Sequence, residues 1–134
     1  MGGVSSAYDP IDVTEFLPEE IEAAVLAAED WGTYICAHVY TPRGIQRCLR
    51  AGVKSIEHGQ LTDEDSVKMM SDVGAVWSIQ PFVQKLSNPG LPAAMIAKQR
   101  FLWDGTDTAY TLAIKHGVPT GWGSDILFDA AMAE

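Results

Sequence analysis

The sequence is short of cations. Nine lysines and arginines stand against eighteen aspartates and glutamates, for a formal net charge of -9. No basic stripe is available to neutralise phosphates, which argues against nucleic acid as a partner. Cysteine is scarce as well: Cys36 and Cys48 are too few for a disulfide scaffold and lack the close pairing of a structural zinc site. Reduced thiols in a cytoplasmic protein are the simplest expectation. No apolar run is long enough to span a bilayer, and no charged-then-apolar leader opens the chain, so no membrane partner is expected. Several catalytic signatures are missing too. The stretch from Gly121 to Ile126 starts like a dinucleotide loop but has no third glycine, and no serine sits in a Gly-x-Ser-x-Gly elbow.

What is present is an ordinary globular composition, 47% hydrophobic and 20% charged, in 134 residues, which fits one domain with a real core. Turn and helix signals alternate with short β-rich runs. Pro18 suits a first helical position, and Ile21, Ala24, Val25 and Ala28 follow at helical spacing before Gly32. A strand is expected from Thr33 to His38. A helix then runs from Thr41 as cap through Ile45, Cys48 and Leu49 to Gly52. The pattern repeats with a strand from Val53 to Glu57 and a helix opened by Thr62 with Asp65, burying Val67, Met70 and Val73. Next come a strand from Ala75 to Ile79, an irregular piece from Val83 to Pro92, and a helix from Ala93 to His116 broken near Gly105. A last strand spans Val118 to Ser124, and another helix begins at Ile126. Four strand–helix units of this kind predict a parallel sheet with helices packed outside it, in a single α/β domain over residues 1–134. A closed barrel of eight such units needs about 250 residues. The expectation is therefore a small open sheet or half of a barrel.

Three of the strand-like runs end in a residue that binds metals or moves protons: His38, His58 and Asp125. Strand C-termini converge on one face of a parallel α/β barrel, so these three can meet there. Taken singly, each has a plainer reading. An isolated strand-end histidine is best taken as hydrogen-bonded, and Asp125 as a helix N-cap ahead of Ile126. Tyr40 shares the His38 side by alternation and serves equally well as a substrate contact or a rim residue. Trp122, between two glycines and near Asp125, stays open as a substrate contact. His116 before Gly117 reads as a structural helix end, and Lys98 and Lys115 read as solvated helix charges.

Four motifs in order carry a family resemblance over nearly the whole chain: Gly2-Gly3-Val4-Ser5-Ser6 with Asp9-Pro10, Ala37-His38-Val39-Tyr40-Thr41, Ser55-Ile56-Glu57-His58-Gly59, and Gly123-Ser124-Asp125. Together they resemble the metal-dependent amidohydrolases, in the imidazolonepropionase-like and prolidase-type branch. The resemblance implies an eight-stranded TIM-type (β/α)8 barrel with two zinc ions at its mouth. The strands ending at His38, His58, Pro81 and Asp125 would be the fifth to eighth. His38 and His58 would ligate the second metal; Asp125 would ligate the first and act as general base and proton shuttle. The family's His-x-His pair and its metal-bridging carboxylated lysine have no counterpart here, the lysine belonging just upstream of Gly2-Gly3. The resemblance thus implies the C-terminal half of a barrel.

The implied activity is metal-dependent hydrolysis of carbon–nitrogen bonds in small amides, of the dipeptidase or N-acyl amino acid hydrolase type, with the missing N-terminal half needed for turnover. Two alternatives stand beside it: a non-catalytic remnant or interaction subunit, and a half-barrel that homo-oligomerises to build a new metal site from two copies.

Overall fold

The computed structural model of the protein describes residues 1–81, 90 and 92–125. Its elements alternate as expected: α1 (Pro18–Asp30), β1 (Cys36–Val39), α2 (Pro42–Arg50), β2 (Ser55–His58), α3 (Glu64–Asp72), β3 (Val76–Ile79), α4 (Ala93–His116) and β4 (Thr120–Trp122). The strands form one sheet in the order β1-β2-β3-β4, every pair parallel. This is the α/β arrangement of strand–helix units that the sequence predicts. Most of the segment expected to be irregular between Val83 and Pro92, and the helix expected from Ile126, lie outside the described residues.

The differences from expectation are local and have physical reasons. Thr41 occupies the N-cap position of α2, but its side chain makes no capping hydrogen bond. The cap of α3 is Asp63 rather than Thr62: its Oδ1 accepts the Ser66 N–H at 2.8 Å, and a carboxylate there also suits the positive end of the helix. Val73 falls one residue past the last turn of α3 and is 42% exposed, while Val67 and Met70 are buried as expected. α4 does not break at Gly105; it continues for 24 residues. The glycine answers a different need, since a Cβ there would lie 2.1 Å from the Gln60 carbonyl oxygen. Its missing side chain lets the helix press against the turn that follows β2.

Register divides the sheet into two unlike faces. Val39, Ile56, Trp77 and Ile79 lie at most 1% exposed on one of them. They join Ile45 and Cys48 of α2, Met70 of α3 and Ala109 of α4 in one core cluster. On the other face His38, Glu57, Ser78 and Gly121 stand in register across the four strands, with Cys36, Ser55 and Val76 in the row below. His38 and Cys36 are exposed there, and Val76 is 42% exposed. Among the described residues neither outer edge of the sheet pairs with a further strand. At the β1 edge the Met1 amino group donates to the His38 carbonyl. A cavity of about 440 Å³ runs beside it, lined in part by Phe16, Ile21, Ile35 and Cys36. Both thiols are free. No helix among the described residues is long and apolar enough to cross a membrane.

Candidate functional site

The C-terminal ends of β1 and β2 place three aromatic rings together. His38 and His58 meet edge to face with centroids 4.5 Å apart, His38 and Tyr40 do so at 5.0 Å, and Tyr40 stacks on His58 at 4.8 Å and 23°. Strand alternation brings Tyr40 to the His38 side. It does not by itself bring His58, which pairs in register with Val39 on the helix-covered face. The backbone does that. His58 has φ of +74°, in the left-handed region that a non-glycine residue enters at a cost of roughly 1–2 kcal/mol. The turn is held from several sides. The Trp77 indole donates to the His58 carbonyl at 2.7 Å, and Gly59 N–H and Leu61 N–H donate to the carbonyls of Val39 and Tyr40 at 2.9 and 3.1 Å. Backbone strain fixed in this way is a common means of aiming a functional side chain.

Electrostatics separate the two histidines. His58 is 5% exposed; burial, reinforced by the neighbouring His38, pushes its pKa down to about 4 against the effect of a side-chain hydrogen bond with Gln80. It is therefore neutral at pH 7, the state in which imidazole binds a metal. His38 is exposed, and its Nε2 lies 2.7 Å from the Gly2 carbonyl oxygen. A carbonyl only accepts, so Nε2 carries the proton and Nδ1 keeps the lone pair. Burial, with smaller contributions from the Asp125 and Asp9 carboxylates, holds the Tyr40 hydroxyl well above the usual phenol range, so it remains a donor. Asp125, at φ +52°, is raised by burial and lowered by His38. Its carboxylate is thus within electrostatic reach of both Tyr40 and His38.

Not every candidate residue joins this group. Trp122 pairs in register with Ile79, on the face opposite His38, and is 75% exposed. His116 is the last residue of α4, before Gly117 in the left-handed conformation, and its Nε2 lies 3.0 Å from Glu64 Oε1. That is the structural role expected of it. Lys115 reaches the same carboxylate at 2.7 Å and is largely exposed. Lys98 departs from its expected solvated role, since its Nζ donates to three backbone carbonyls. Trp77 and Gln80, which steady His58, carry no signal in the sequence beyond ordinary packing and polarity.

The donor chemistry fits a metal in part. A neutral His58 and a His38 whose neutral ring keeps its lone pair on Nδ1 are both competent ligands, side by side. Among the described residues, however, no group of three or more His, Cys, Asp and Glu side chains is placed to hold an ion. The two imidazoles form a pair, with Asp125 near but not closing a three-residue set.

Comparison with known proteins gives this arrangement its context. The ochratoxinase of Aspergillus niger is 33% identical over 128 residues, which cover 92% of this chain and 27% of the relative. The crystal structure of a prolidase complexed with N-methylphosphonate-L-proline is 36% identical with a TM-score of 0.88, over 96% of this chain and 33% of that one. An amidohydrolase crystal structure is 34% identical with a TM-score of 0.89, over 98% of this chain and 33% of the other. The chain therefore spans about a third or less of the length of these relatives, and its sheet corresponds to part of their barrel. The amidohydrolase family model matches residues 1–132. By that match the chain belongs to the amidohydrolase family.

Proposed function

We propose that this chain supplies the ends of four strands to a metal-dependent hydrolase of amide bonds in small molecules, with a further part of a barrel needed to complete the site. The observation that carries the reading is the pairing of a buried, neutral His58 with His38 at 4.5 Å, on the ends of adjacent parallel strands. His38 and His58 would hold one ion, zinc by family likeness, and Asp125 would lie toward the other. A metal bound there would polarise the scissile carbonyl and acidify a water.

The chain's own residues would do the rest. Asp125, its pKa raised by burial, takes a proton from water and delivers it to the departing amine. Tyr40, held protonated, donates a hydrogen bond to the carbonyl oxygen as charge builds on it, or to a substrate carboxylate. Similarity to the prolidase supports dipeptides with a C-terminal proline as the first substrates to test, with N-acyl amino acids next. The tetrahedral phosphonate bound to that relative has the shape of water added to an amide carbonyl.

The test is to co-express the chain with the N-terminal part of a related barrel and to assay a panel of Xaa-Pro and other dipeptides. Turnover in the pair that Asp125→Asn abolishes supports the proposal. Absence of turnover in a stable pair, or turnover indifferent to Asp125→Asn, overturns it. The edges at β1 and β4, which pair with no further strand among the described residues, favour one alternative, in which two copies close a barrel between them. Metal-dependent turnover by the isolated chain, at a solution mass of two copies, would favour that form.

A further inference from the structure

Lys98 stands in the second turn of α4 and is half-buried. Its Nζ donates to the carbonyls of Gly3 at 3.1 Å, Ser6 at 2.6 Å and Asp9 at a short distance. An ammonium group has three N–H donors, and three acceptors take them. All three belong to one loop, residues 1–11, which is folded tightly on itself. Gly2 has φ of +71°, and a Cβ on it would lie 2.3 Å from the Ile11 carbonyl oxygen.

This loop is also the part of the chain that holds His38. The Gly2 carbonyl takes the Nε2 proton of that ring, and the next carbonyl along the chain, that of Gly3, takes a proton from Lys98. Two consecutive carbonyls thus serve different partners, one the imidazole and one the ammonium. Lys98 has a partner in this work four residues on. Leu102, on the same face of the helix, packs with Val4 of the loop and with Tyr40. α4 thus grips the loop twice, one turn apart, and both grips end at rings of the site.

We propose that Lys98 is a positioning residue. By fixing the carbonyls of Gly3, Ser6 and Asp9 it sets the direction of the Gly2 carbonyl, and through it the orientation of His38 and the tautomer with its proton on Nε2. The consequence is that Nδ1 of His38 faces outward as the available donor atom. This deepens the proposed function, since it rests on His38 being a metal ligand, but its first readout needs no metal.

The experiment is 15N NMR of the histidine side chains in metal-free protein at pH 8, where neutral tautomers are distinguished directly. The wild type should show His38 with the proton on Nε2. Lys98→Met, which keeps the length but removes every donor, should yield a tautomeric mixture. Lys98→Arg, which keeps charge and donors, should restore the Nε2–H form. Lys115→Met, altering a lysine of the same helix that pairs at the surface, should leave His38 unchanged. A wild-type His38 tautomer in folded Lys98→Met overturns the proposal. If that variant fails to fold, Lys98→Gln, with only two donors, takes its place, and an unchanged tautomer there is equally fatal. Zinc affinity is the second readout and should fall about 10-fold in Lys98→Met, as for other residues that orient metal ligands. Failure of the wild type to bind zinc would undo the ligand role of His38 while leaving the tautomer result to decide on Lys98.

Discussion

The two faces of the sheet are built from alternate residues of the same four strands, yet they obey opposite rules. On the helix-covered face Val39, Ile56, Trp77 and Ile79 are at most 1% exposed, and His58, a polar residue in their rows, is turned away by its left-handed backbone. On the other face Val76 is 42% exposed beside Ser78, Glu57, Cys36 and His38. The first face stabilises the chain; the second presents polar and ligand-type side chains at low cost, because the strands beneath are fixed by packing behind them. Trp77 joins the two. Its rings fill the core, and its indole N–H, reaching the His58 carbonyl, helps to hold the strained turn that swings His58 round to the site. Loss of core packing should therefore reach the site, whereas changes on the open face should barely touch stability.

The largest expected effect is that of Trp77→Ala. Truncation of a fully buried tryptophan should cost about 3–5 kcal/mol, and the His58 carbonyl loses its donor as well. Denaturant unfolding gives the number. A loss under about 1 kcal/mol would mean that the core does not lie where the burial places it.

Next comes pH. His58 is held at a pKa of about 4 in the folded chain against 6.5 for the free side chain. The unfolded chain therefore binds an extra proton between these values. The stability from keeping this ring neutral is complete above pH 6.5 and is lost as pH falls toward 4, amounting to about 3 kcal/mol at most. Unfolding of metal-free wild type and His58→Gln, compared from pH 7.5 to 4, isolates the contribution. Parallel pH profiles for the two proteins would show that His58 is not buried as a neutral ring.

Val76→Thr should have the smallest effect, within about 0.5 kcal/mol for the isolated chain, because the side chain is half-open to water. The same change should cost more when another barrel part covers the face. Equal values with and without that part would mean the open face is not where it docks.

The sequence makes much of this legible, and the places where it fails share a cause. Proline at a helix start, glycine at a helix end and β-branched runs between them are local signals, and they predict the alternation of elements that the structure has. Gly105 misleads because its purpose is a contact with Gln60, 45 positions earlier, rather than a bend in its own helix. Lys98 misleads in the same way: its partners lie about 90 residues upstream in the loop near Gly3. For the site, strand-end histidines can be found by inspection, and alternation brings Tyr40 to His38. The left-handed turn at His58 cannot be read from Glu57-His58-Gly59 alone, since the Trp77 indole that secures it comes from the neighbouring strand.

If His38 and His58 act together as metal ligands, zinc content shows it directly. Purified wild type, His38→Ala and His58→Ala would be loaded with zinc, dialysed and assayed for metal and protein by elemental analysis. The wild type should retain zinc at well under two ions per chain, as expected of part of a binuclear site, and each alanine variant, once shown to be folded, should retain less. Equal zinc in all three proteins would contradict the assignment, because the metal would then be held elsewhere on the chain.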